Sequence, residues 1–128
     1  MDYKGYKELE CYIQARQVRI LLAELIKTFP NQEKFLLSDQ IVRSSRSVTA
    51  NIAEGYGRYT YRDTRNFFII ARGSITETME HLQTAMDEKY ISKEVLETYD
   101  EKCKLVLKLL NGYIAYLDKS YKKITFYT

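Results

Sequence analysis

From Leu96 to Leu117 an apolar residue returns every three or four positions: Leu96, Tyr99, Cys103, Val106, Leu110, Tyr113 and Leu117. That spacing lines all of them up along one narrow face of a single long α-helix, and only other helices can cover such a stripe. The stretch therefore predicts the side-by-side packing of an antiparallel bundle. The rest of the chain must supply the partner helices, and its composition allows this. One Pro and five Gly in 128 residues leave too few turn formers for a β-sandwich or barrel. With 45% apolar and 29% charged residues, the chain is neither disordered nor membrane-embedded in character.

Three further stripes follow. The first helix is predicted over about residues 6–28, with Cys11, Ala15, Val18, Leu22, Leu25 and Ile26 on one face. It stops at Phe29, because Pro30 disfavours a helical residue before it. Leu9, Ile13 and Ile20 fall on the opposite side; with Ile69 of the third helix they are candidate interface residues. The second helix is predicted over about residues 38–54, with Ser38 as N-cap and Asp39 in its first turn. Its inner stripe is Ile41, Ser44, Ser45, Val48 and Ile52, and the small residues imply a close helix approach. The third helix, about residues 61–88, opens on a capping box of Thr60 and Asp63. Its inner stripe reads Phe67, Ile70, Ala71, Ser74, Thr78, Leu82 and Ala85, with Ile75 alongside. Ser92 caps a fourth helix over about residues 93–120, leaving a tail 121–128 in which Ile124 to Thr128 alternates like a short strand or a fraying end. The expected fold is all-α, one antiparallel up-and-down four-helix bundle over residues 1–128.

Catalytic equipment is scarce. His81 is the only imidazole, and position 78 is Thr, so the Glu-x-x-His pattern of a di-metal bundle is missing. Cys11 and Cys103 lie on apolar stripes, where free Cys behaves as a small hydrophobe, and they form no zinc set. Gly55-Tyr56-Gly57 lacks the third Gly and the preceding strand of a dinucleotide fingerprint. No catalytic residue, metal or cofactor is assigned. Met1 to Leu9 carries charges and no apolar segment, and no apolar run approaches the ~20 residues of a membrane span. The expectation is a cytoplasmic protein with reduced thiols and no membrane partner.

The small net charge of +3 is unevenly placed. Residues 43–72 hold six of the eight Arg against two acids, while residues 73–103 hold eight acids against three Lys. Arg58, Arg62 and Arg65 interleave with Tyr56, Tyr59 and Tyr61, and Arg72 follows on the same helix. Arg suits phosphate and Tyr stacks on unpaired bases, so these seven residues form a candidate nucleic-acid surface. The alternative is a solvated face whose Tyr rings cover the bundle end. A polar row of Arg43, Asn51 and Glu54 ends at Gly55 and reads as a structural motif. In that reading it fixes helix register or a subunit contact, with Glu54 in reach of an Arg such as Arg72.

Gln40-Ile41-Val42-Arg43, Ser47-Val48 and Asn51-Ile52-Ala53-Glu54-Gly55-Tyr56-Gly57-Arg58 stand in order along the second helix. Ala71-Arg72-Gly73-Ser74 and Tyr90-Ile91-Ser92 follow. Together they resemble the four-helix-bundle proteins encoded in intervening sequences of bacterial 23S ribosomal RNA genes. The resemblance runs from Leu9 to about Leu117. The chain departs from it at Val48-Thr49-Ala50, where an Ile-Pro-Ser-like run is common, and at Cys11-Tyr12, where a Trp is frequent. It implies an up-and-down bundle without established catalysis. It also implies similarity to the accessory variability protein of diversity-generating retroelements, a pentameric barrel that binds nucleic acid and a reverse transcriptase. A homopentamer binding RNA or DNA is the resulting expectation. The alternative is a scaffold or accessory subunit that recruits a nucleic-acid enzyme such as a reverse transcriptase.

Overall fold

Leu22, Ile41, Ile52, Phe68, Leu82 and Leu110, drawn from all four stripes, are completely shielded from solvent. Each stripe thus finds its cover in the other three. A computed structural model describes the backbone of residues 5–127 and the side chains of residues 5–122. Its helices are α1 (Glu10–Leu25), α2 (Leu37–Tyr56), α3 (Tyr61–Asp87) and α4 (Lys93–Tyr127). Each packs on its neighbours in sequence, and α1 also packs on α4, which closes the four-helix bundle. No strand occurs among the described residues, and none of their helices is long and apolar enough to cross a membrane.

Several boundaries differ from the sequence reading. The predicted first helix is three pieces, because Leu9 adopts an extended backbone (φ −68°, ψ 132°) between the 3-10 turn Tyr6–Glu8 and α1. Leu9 packs half-buried against the core, so the chain bends there to keep it covered. A second 3-10 turn, Ile26–Thr28, ends the helix before Pro30. Ser38 does not cap α2; it is buried in the first turn, and the Glu33 carboxylate accepts the Leu37 N–H at 3.2 Å instead. The Thr60 hydroxyl does cap α3, accepting the Asp63 N–H at 3.2 Å. On α3 the stripe begins with Thr64 and Phe68; Phe67 is half-buried, Ile70 is 42% exposed, and Ile69 leans on the core. The two adjacent Phe straddle the helix face, and Ala71 and Ile75 set the phase that buries the second. On α4 the 3–4 seam packs as read, with Ile114 added to it. The helix does not stop at 120 but continues to Tyr127, and Thr128 lies outside the described residues.

Two close contacts position the turns. Lys89 has φ 67° and ends α3 in a Schellman arrangement: its N–H reaches Met86 O and the Tyr90 N–H reaches Ala85 O, both at 2.8 Å. Gly55 is buried where α2 crosses α3, and a Cβ there would lie 2.9 Å from Phe67 Cβ. Hydroxyls complete the same seam. Ser44 and Thr78 share a hydrogen bond of 2.8 Å, as do Ser47 and Ser74. The small residues of α2 therefore do produce a close approach, and they satisfy one another's polar groups across it.

Candidate nucleic-acid interface

The Thr60 cap fixes the first turn of α3 and with it the direction of the Arg and Tyr side chains that follow. Their partners divide them. Arg58 reaches back one turn to Glu54 at 2.6 Å and lies over the Phe67 ring, 4.9 Å from its centroid. Arg65 donates to both carboxylate oxygens of Asp118, at 2.8 and 3.4 Å. The Tyr61 hydroxyl donates to the same carboxylate, and its ring stacks on Tyr121 with centroids 4.2 Å apart. The Arg65 guanidinium, then the Tyr61 hydroxyl, hold the Asp118 carboxyl below its ordinary range; Asp118 in turn raises the pKa of Tyr61. Arg72 donates to the neutral Asn111 side chain at 3.0 Å. Arg62 is exposed, and its side chain has no partner among the described residues. Tyr59 is fully exposed beside it in sequence, whereas Tyr56 is half-buried.

Six of the seven residues lie around the α2–α3 turn and the first turns of α3, while Arg72 lies about 10 Å beyond Arg65, and their chemistry differs. Arg58 and Arg65 already face carboxylates. Arg62 and Arg72 keep a charge that no described acid offsets, and Tyr59 presents a free ring. Tyr61 belongs to the tie between α3 and α4.

The polar row Arg43, Asn51 and Glu54 forms no shared network within the chain. Arg43 pairs with Asp39 one turn earlier at 2.7 Å, with most of its side chain in solvent. Asn51 donates to Ser47, to its carbonyl at 2.8 Å and to its hydroxyl at 3.0 Å. Glu54 binds Arg58 and not Arg72. An i,i+4 pair this exposed is worth about 0.3–0.5 kcal/mol, so the fold itself rests little on Glu54. Of the row, Asn51 alone connects to the α2–α3 hydroxyl seam, through Ser47. Of the candidate interface residues, Ile13 (43%) and Ile20 (39%) stay exposed, while Leu9 and Ile69 pack on the core.

Among the remaining candidate groups, His81 Nε2 lies 3.0 Å from Glu77 Oε2 on the same helix. Both cysteines are unpaired and buried, and burial pushes the Cys11 thiol up to about 11 and the Cys103 thiol up to about 12. Neither is a thiolate nucleophile at neutral pH. The sequence reading passed over Arg19 of α1. Arg19 donates to the Thr49 hydroxyl of α2 at 2.7 Å, a contact between helices that no local spacing announces.

Comparison with known proteins places this geometry. No curated protein matches. A crystal structure of a protein with unknown function from the S23 ribosomal protein family of Bacteroides thetaiotaomicron VPI-5482 is similar, with a TM-score of 0.76 and 28% identity. The likeness covers 82% of this chain and 95% of that one. The 23S rRNA-intervening sequence protein family matches residues 7–112, which hold α1, α2, α3 and most of α4. The chain therefore belongs to the 23S rRNA-intervening sequence protein family.

Proposed function

We propose that this protein is a non-enzymatic cytoplasmic bundle that works as an oligomer and binds RNA or DNA. The surface in question is the Arg/Tyr-rich α2–α3 turn together with the side of α3 that meets α4. The observation that carries the reading is the unopposed charge of Arg62, three positions after the exposed ring of Tyr59, and of Arg72, about 15 Å further along α3. Arg58 can join them. Its exposed pair with Glu54 is worth little, and a phosphate is a competing partner for the same fork. Arg65, held by two bonds to Asp118, contributes less. Fluorescence anisotropy with a structured RNA and a duplex DNA, titrated over salt, tests this. Affinity should fall steeply with salt, and the double variant Arg62→Ala/Arg72→Ala should reduce the logarithmic slope by about 1–2. Binding that ignores salt, or is unchanged in the double variant, overturns the assignment.

A second reading draws on Ile13 and Ile20, which stay exposed on α1. They suit a scaffold that recruits a partner protein, such as an enzyme acting on nucleic acid. Recovery of one stoichiometric protein after nuclease treatment would favour it, provided Ile13→Asp/Ile20→Asp abolishes the recovery.

A further inference from the structure

Between α1 and α2 lies an open groove of about 530 Å³, which none of Arg58, Arg62, Arg65 and Arg72 lines. Its α1 side carries Tyr12 and Arg19, seven positions apart and so on one helix face about 10 Å from each other. Its α2 side runs from Arg46 to Ala53 over the same span. The helices are antiparallel, so Arg19 and Arg46 share one end, while the Tyr6 and Tyr12 rings occupy the other. Ala50 and Ala53 keep the floor shallow. The aromatic end is ordered: Tyr6 and Tyr12 meet edge to face with centroids 5.0 Å apart, and Tyr6 is the more exposed ring.

The charge in this groove is uncompensated. Arg19 is held by Thr49, a neutral group, so its position is fixed while its charge remains. Among the described residues the Arg46 side chain has no partner and no acid lines the groove. Of the acids nearest in sequence, Glu54 pairs with Arg58 and Glu10 accepts from the neutral Gln14 side chain, while Glu8 stands two positions from Tyr6, at the aromatic end and not at the Arg end. Two guanidinium groups lining one groove repel one another, an anion between them relieves that repulsion, and the Arg fork matches phosphate oxygens.

We propose that this groove binds a nucleotide unit, its phosphate between Arg19 and Arg46 and its base on the ring of Tyr6. The unit can belong to an unpaired nucleic-acid segment or to a free nucleotide, since both present the same groups. The site is separate from the α2–α3 surface and stands or falls without it. Calorimetric titration of the full chain with ADP and with a five-residue oligoadenylate distinguishes the two sources. NMR of the Arg side-chain N–H signals reports on the same site. Both probes should shift the Arg19 and Arg46 signals. Arg46→Glu, an exposed position whose fold is checked by circular dichroism, should weaken both at least tenfold. Arg62→Glu should leave ADP binding unchanged. ADP binding at the groove without any RNA or DNA binding would support this site and overturn the preceding reading. Oligonucleotide binding lost in the Arg62 and Arg72 variants but unmoved by Arg46→Glu, with ADP silent, would do the reverse. No shift of Arg19 or Arg46 with either probe overturns the groove.

Discussion

Gly55 and Gly112 both sit inside helices, for opposite physical reasons. Gly55 has an ordinary helical backbone, so its value lies in the missing side chain. An added Cβ would meet Phe67 Cβ at 2.9 Å and Phe68 Cδ2 at 3.0 Å. Phe67 Cβ is fixed to its own backbone, so α2 and α3 must part. Gly55→Ala should cost about 1–3 kcal/mol, the range of an overpacked core. A Cβ at Gly112 meets nothing within 4 Å, so Gly112→Ala should stabilise by up to about 1 kcal/mol. Urea denaturation of the two variants, read against the parent chain, checks both signs. This contrast was half legible. Gly112 stands visibly off the α4 seam in the sequence, whereas the need for Gly55 arises from Phe67 and Phe68 on another helix. The Arg residues divide in the same way. Their clustering is local and was readable, but the carboxylate that takes up Arg65 lies 53 positions away at Asp118.

Among the elements, the four helices were legible because their apolar period persists over many turns. Their ends were less so. The bend at Leu9 and the cap from Glu33 follow from where the chain must cross the bundle, not from any capping residue in the usual place. The extension of α4 had a signal that alternation obscured: residues 121–127 contain no Gly or Pro to stop a helix. That extension matters, because it places the Tyr121 ring on Tyr61 in the first turn of α3, beside Asp118. The depressed pKa of Asp118 gives the tie a defined pH dependence. Its contribution is complete above the ordinary carboxylate range, about pH 4, and disappears as pH falls through the lowered folded-state value. Asp118→Asn should therefore lower Tm at neutral pH, and its difference from the parent should close in acid. A difference in Tm that stays constant from neutral to strongly acidic pH would remove the ion pair from the account.

For the whole molecule, the uneven charge of the sequence survives folding only in part. Pairs with Asp39, Glu54 and Asp118 quench half of the Arg stretch, and the rest divides between the α2–α3 side and the α1–α2 groove. The resemblance read from the sequence implies five identical chains in one particle, and the exposed Ile13 and Ile20 offer α1 as a contact surface. Light scattering should give five times the chain mass, falling to a single chain in Ile13→Asp/Ile20→Asp; a single-chain mass for the parent refutes the assembly. The hydroxyl seam has a mechanical consequence of its own. Directional bonds at Ser44–Thr78 and Ser47–Ser74, with the tight crossing at Gly55, block α2 from sliding or rolling against α3. Arg65 and Asp118 brace α3 against α4. α1 packs on α2 through its buried stripe beside the open groove, with Arg19–Thr49 as the polar link between them among the described residues, and a 3-10 turn flanks it at each end. The paired hydroxyl braces are thus concentrated on α2 and α3, while α1 is held by its apolar stripe and by single bonds, Arg19 to Thr49 and the Tyr99 hydroxyl of α4 to Leu21 O, so loosening the core would release α1 before it parted α2 from α3.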